Sequence, residues 1–171
     1  MMTLAETILM TQIGYENLLA RITEKEKEYD QVRDHRQVAF ELSGDGWHDN
    51  PEFNRMQQLE ANLNHTLKTL NDRLDVMKFI DIHDGMRNVQ QVEIGSIVKL
   101  RRYDLADDSE TEEIWEIRGF DETNIKLKHL AYNAPLAEKI MHLHVADIAE
   151  EVQIGSRHFD IEVVALFKTR L

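Results

Sequence analysis

Cysteine is absent from the 171 residues. That excludes disulfides, thiolate metal ligands and cysteine nucleophiles, and it suits a reducing compartment, with the cytoplasm as the expected location. Proline occurs twice and glycine seven times, so long stretches run without a helix breaker. There is no run of about 18 apolar residues, hence no candidate membrane-spanning helix. The first ten residues lack a basic n-region and carry Glu6, so they do not read as a secretory signal. Positive charge is in deficit: 20 Lys and Arg face 32 Asp and Glu, a formal net charge of −12. That sign excludes free DNA binding by bulk attraction. Also missing are a phosphate-binding loop, a dinucleotide glycine fingerprint and a G-x-S-x-G elbow, and no cofactor of the chain's own is expected.

What remains is 42% hydrophobic and 30% charged, enough for a core beneath a heavily ionic surface. The length suits one large domain or two small ones. No glycine occurs between Gly14 and Gly44, nor between Gly46 and Gly85. These two segments, split by Ser43 to Asn50, read as two helices and a tight turn. Steps of three and four visit Tyr15, Leu18, Ile22, Lys25, Tyr29, Val32, Arg36 and Ala39 in the first. In the second they visit Phe53, Met56, Glu60, Leu63, Leu67, Leu70, Leu74 and Met77. Both are heptad seams with polar interruptions. A short connector makes neighbouring helices antiparallel. Folding at Trp47 sets Val32 near Leu63, Tyr29 near Leu67, Ile22 near Leu74 and Arg36 opposite Glu60. That last couple either pairs and fixes register or snorkels into water. Thr11 can cap the first helix, and Asn50 the second, with Pro51 at the first helical position. At roughly 30 residues each, the helices would be on the order of 45 Å long.

Beyond residue 83 the period changes. Ser96–Leu100, Ile114–Ile117, Ile125–Leu127 and Phe159–Val163 alternate at least in part, punctuated by Gly95, Gly119, Gly155 and the polar run Asp104–Glu110. They read as short antiparallel strands of one sheet, and Ala134-Pro135-Leu136 opens a short helix ending near His142. The expected division is therefore a helical domain over 1–83, with its tip at 43–52, and an α+β domain over 84–171.

Between Glu41 and Glu52 stand four acids, Glu41, Asp45, Asp49 and Glu52, and no Lys or Arg. Carboxylates are hard ligands, and Mg²⁺ commonly takes only one or two from a protein. Acids on a tip could complete a metal site belonging to another molecule. Turn and helix-start chemistry also explains Asp and Asn at such places. Trp47 either stays exposed to stack or dock elsewhere, or folds back over Phe40 or Phe53. His48 could shuttle a proton or simply serve the turn. His142, His144 and His129 invite a metal reading, but spacing supplies no third ligand.

Four ordered segments resemble the GreA/GreB transcript-cleavage factors of bacterial RNA polymerase. Thr11-Gln12-Ile13-Gly14-Tyr15 looks like that family's helix start, and Gly44-Asp45 through Asp49-Asn50-Pro51-Glu52-Phe53 like its tip. Ile94-Gly95-Ser96-Ile97-Val98 and Asn133-Ala134-Pro135-Leu136-Ala137 look like two motifs of its second domain. The resemblance implies an α + β two-domain fold: an N-terminal antiparallel coiled coil and a C-terminal FKBP-like domain with an antiparallel sheet. It implies bacterial RNA polymerase as partner, with the coiled coil in the secondary channel; the hairpin itself predicts a monomer in solution. Asp45 and Asp49, with Glu52 and His48 beside them, would act in trans by sharing the polymerase Mg²⁺; no metal of the chain's own is implied. The polymerase itself would then cleave backtracked RNA, a two-metal reaction. Asn124, Ala134 and Pro135 are the implied polymerase contacts, Trp47 is a candidate contact by its residue type, and Arg33, Arg36 and Arg55 are candidate contacts to the nascent RNA 3′ end. The tip departs from the family pattern: its acids stand four apart rather than three, and Asp49 replaces a Glu. Two outcomes stay open, stimulated cleavage or occupation of the channel without it. A rival of another class is a prolyl isomerase, for which Tyr103, Trp115, Phe120, Tyr132, Phe159 and Phe167 would line a pocket.

Overall fold

The computed structural model describes residues 6–170. The outermost parts of both expected domains, and half of the segment read against a signal, lie outside the described residues. The chain divides into two compact units. One contains residues 6–8 and Tyr15–Met77; the other contains Leu9–Gly14 and residues 78–170. The division falls at Met77/Lys78 rather than 83/84, and Leu9–Gly14 joins the second unit because its backbone is tied there. Phe120 N–H donates to Leu9 O at 2.8 Å, and Thr11 N–H to Glu122 Oε1 at 2.7 Å.

The first unit is a helical hairpin: α1 (Gln12–Ser43), a 3-10 turn (Gly44–Asp49) and α2 (Pro51–Val76). Every seam position named from the sequence is buried or half-buried, and almost every other position on both helices is exposed. A stripe of apolar residues at three- and four-residue spacing has one way to leave water, against its counterpart on a neighbouring helix. Arg36 and Glu60 do pair, Nε to Oε2 at 2.7 Å, and the Tyr29 hydroxyl donates to Glu60 Oε1 at 3.3 Å. Both Arg36 Nε and Glu60 Oε2 are buried, but the N–H is poorly aligned on the oxygen, so the contact is ionic rather than a hydrogen bond. Removing one partner strands the other, at a cost of about 2 kcal/mol. Arg36→Leu alone should therefore lower the melting temperature of the hairpin, and adding Glu60→Leu should restore it. A double variant less stable than the single one would show that the pair contributes net stability.

The second unit holds one sheet of five strands: β3 (Ile97–Asp104), β4 (Glu110–Arg118), β5 (His129–Ala131), β6 (Ile148–Ile154) and β7 (Arg157–Phe167), in the order β5-β4-β3-β7-β6. A further two-stranded sheet joins β1 (Ile8–Met10) to β2 (Met77–Phe79). The short helix α3 (Pro135–Ile140) packs its Leu136, Ala137 and Ile140 into the core with Val98, Leu100, Ile117 and Val163. On the more exposed face, Arg101 stands opposite Glu112 and Glu162 in register and pairs with both.

Two expectations need correction. The sheet is not wholly antiparallel: β4 and β5 run parallel. Ile125–Leu127 is not a strand but the turn leading into β5, with Ile125 71% and Leu127 56% exposed. Asn124 overrides the alternation. Its Oδ1 accepts from Leu127 N–H at 3.2 Å, and its backbone exchanges hydrogen bonds with His129 at 2.9 Å. An Asn side chain satisfying the backbone three residues on closes a turn whatever the apolar pattern. The strands β1, β2, β5 and β6 have no counterpart among the strands expected from the sequence.

Thr11 caps α1 as expected, its Oγ1 accepting from Gly14 N–H at 3.4 Å while it donates to Glu122 Oε2 at 2.9 Å. Glu122 is buried, with Arg118 Nε 3.6 Å from its Oε2. A Cβ at either Gly14 or Gly119 would overlap its carboxylate. Glycine at both places is thus the condition for burying this acid against the helix start.

Candidate functional site

The hairpin tip is built on Asn50. Its Oδ1 accepts from Glu52 N–H at 2.9 Å and Phe53 N–H at 3.4 Å, capping α2 in front of Pro51. Its Nδ2 donates to Ala39 O at 3.3 Å and to Ser43 Oγ, reaching the last turn of α1. Its own N–H donates to Trp47 O at 3.2 Å. One residue therefore closes both helix ends through its side chain and the turn between them through its backbone. The cap is legible in the sequence and the bridge is not, because a bridge depends on where α1 stops. Gly44 sets that stop with φ +53°, a left-handed geometry that glycine adopts without steric cost.

Beneath the turn lies a three-ring cluster. Trp47 is half-buried, its ring centroid 5.8 Å from Phe40 and 5.1 Å from the buried Phe53; Phe40 and Phe53 are 6.1 Å apart. Of the two readings of Trp47, the one that folds back over Phe40 and Phe53 is observed. Tilted and edge contacts at these separations suit aromatic quadrupoles. His48 lies against the outer side of the arrangement, its ring 3.4 Å from that of Trp47. Asn54 Nδ2 fixes the backbone by donating to His48 O at 3.3 Å.

On this closed end Asp45 and Asp49 are exposed, and neither carboxylate makes a hydrogen bond or ion pair among the described residues. Glu52 is also exposed, but Arg55 NH1 lies 3.8 Å from its Oε2. In a 3-10 helix positions three apart eclipse, whereas positions four apart are turned by about 120°. The turn therefore aligns Asp45 with His48 and staggers Asp45 from Asp49. Among the described residues no group of three or more His, Asp or Glu is placed to hold a metal ion. Asp45 and Asp49 could supply single oxygens to a metal bound elsewhere, which is how Mg²⁺ commonly uses protein carboxylates.

The remaining sequence-chosen residues are scattered. Arg36 is committed to Glu60, and Arg33 lies 3.4 Å from Asp30. With Arg55 beside Glu52, each of the three arginines faces an acid, so they form no surplus of positive charge. In the second unit Asn124 closes its turn, half-buried Ala134 precedes α3, and Pro135 opens it, exposed. Asp121 and Asn133 lace the loops on either side of β5, exchanging hydrogen bonds at 2.9 Å.

Near these loops Glu116 is buried between Arg118 and Arg170, each 2.8 Å away, with Arg87 at 3.8 Å. Burial alone would push its carboxyl up; the Arg118 hydrogen bond and the three guanidinium charges outweigh it and hold the group below the usual range. Burial, aided by the charge of Arg118, lowers the pKa of neighbouring His129. His142 and His144 are exposed. Of the rings proposed to line an isomerase pocket, Tyr132 and Phe159 pack against the core. Trp115 is in the core, Phe120 pairs with Tyr132, and Tyr103 donates to Glu162 at 3.0 Å.

No family model matches the chain, and no curated protein matches it. Among solved structures it is similar to GreA factor homolog 1 (Gfh1) of Thermus thermophilus, at 18% identity and a TM-score of 0.43, over 95% of this chain and 99% of that one. Gfh1 of Thermus aquaticus is similar at 19% identity and a TM-score of 0.43, over 95% and 99%. The prokaryotic transcription elongation factor GreA/GreB from Nitrosomonas europaea is similar at 16% identity and a TM-score of 0.37, over 94% and 98%.

Proposed function

We propose that the chain is a regulator of transcription elongation that binds bacterial RNA polymerase. Its hairpin enters the secondary channel, and its tip sets Asp45 and Asp49 beside the catalytic Mg²⁺. The observation that carries this reading is the tip itself: two unpaired carboxylates held on a turn that Asn50 and the Trp47 cluster make rigid. The ordered resemblance of four sequence segments to the GreA/GreB factors supports the choice of partner. Within the polymerase, oxygens from the tip would help hold the second metal and orient the water that cleaves backtracked RNA. Metal-bound water is the better nucleophile because its pKa falls, and the paired metal stabilises the leaving oxygen. The chain supplies position and charge; the bond-breaking centre belongs to the polymerase.

A second reading is favoured by one observation. The stagger of Asp45 and Asp49 on the 3-10 turn, with His48 in line with Asp45, presents a different ligand set from acids three apart. A factor so built would occupy the channel and restrain cleavage. Adding the protein to a stalled, backtracked complex separates the two. Faster release of short 3′ RNA fragments supports stimulation; slower release in the presence of a cleavage factor supports occupation. No change in either direction, at concentrations that saturate the polymerase, would refute both.

A further inference from the structure

Away from its seam, α1 carries a second stripe near the tip. Asp34, Val38, Glu41 and Leu42 fall within one arc of about 100°, since spacings of three, four and seven return to the same side of an α-helix. Val38 is 52% exposed and Leu42 83%. The seam that forms the hairpin's core lies on the other side of α1. The acids on this face stay in water: Glu41 accepts only from Gln37 at 2.8 Å, and Asp34 has no partner among the described residues. From Asp34 to the end of α1 no Lys or Arg stands on the arc; Lys27 lies on it two turns nearer the helix start.

From this face we infer a docking surface for a cationic amphipathic segment of the polymerase, one that presents aliphatic side chains flanked by Lys or Arg. The inference rests on the reading that polymerase is the partner. Charge selects the occupant. Two copies of this face would set carboxylate against carboxylate on chains of net charge −12, and like charges in contact oppose association. Nucleic acid is repelled for the same reason. A basic segment would neutralise Asp34 and Glu41 while its aliphatic groups cover Val38 and Leu42. Apolar anchors inside a charged rim are the usual energetic centre of an interface. The surface supplies affinity, whereas Asp45 and Asp49 act at the metal.

The test measures binding of the full chain to core RNA polymerase by fluorescence anisotropy, for wild type and for Val38→Ser/Leu42→Ser. Both positions are exposed, so the variant should keep its circular-dichroism melting curve, and its net charge is unchanged. The expected result is affinity at least tenfold weaker for the variant, with wild-type binding weakened by salt. Wild-type binding that the double variant matches would overturn the docking surface and leave the partner standing. An absence of wild-type binding would overturn both. Concentration-dependent sedimentation of the wild-type chain alone, abolished in the variant, would assign the face to a second copy and contradict the inference.

Discussion

If the proposed function holds, Asp45→Asn and Asp49→Asn should each erase most of the protein's effect on cleavage of backtracked RNA, by on the order of a hundredfold in rate. They should leave polymerase affinity and the melting curve unchanged. The size of the loss follows from what a carboxylate does beside Mg²⁺. An amide keeps the shape but not the charge, and a metal held by one or two protein oxygens has no spare ligand to substitute. Preorganised charge at a water-poor centre is worth far more than the same charge in solvent. Neither acid has a partner among the described residues, so folding should not depend on it. Glu52→Gln is the internal control: Glu52 lies 3.8 Å from Arg55 in the first turn of α2, and its loss should cost only a fraction of that amount. If all three variants act alike, the tip is a diffuse acidic surface rather than a metal-directed one.

Phe53→Ala should have the largest effect on stability at the tip, about 3 to 5 kcal/mol. Phe53 is 6% exposed and is the only fully buried ring of the three. Its removal leaves a cavity under Trp47 that the two-helix end cannot fill from elsewhere. Trp47 fluorescence reports the change directly: emission should shift toward that of exposed indole before global unfolding. Cleavage activity should fall with it, because the turn that fixes Asp45 and Asp49 rests on that ring. A Phe53→Ala protein with unshifted emission and full activity would mean that the Asn50 hydrogen bonds alone hold the tip.

The hairpin was legible in the sequence because a long helix repeats its instruction. Sixteen seam positions, from Tyr15 to Met77, agree with one another, and each is buried or half-buried. The caps were legible too, since Thr11 and Asn50-Pro51 act within three residues of themselves. The sheet was read less well. Three-residue strands such as β5 carry too few positions to show a period, and β6 is interrupted by a bulge between Ala149 and Val152. Ile125–Leu127 alternates like a strand yet turns, because one Asn124 side chain decides the backbone there. At the tip, the acids and Trp47 stood out by residue type. The packing of Trp47 over Phe40 or Phe53 was one of two open alternatives, and the Asn50 bridge did not stand out, as it requires knowing which turn of α1 faces which turn of α2. Burial of Glu122 between Gly14 and Gly119 was illegible for the same reason: Gly14 stands more than a hundred positions from the other two.

The most direct measurement places the tip against the metal. Fe²⁺ substituted for the catalytic Mg²⁺ of RNA polymerase generates hydroxyl radicals that cut any backbone within a few ångströms. End-labelled protein bound to such a complex should be cut within Gly44–Asn50 and nowhere in residues 84–170. Cuts confined to the second unit, or an intact chain in a complex shown to be bound, would contradict the placement of Asp45 and Asp49 at the metal.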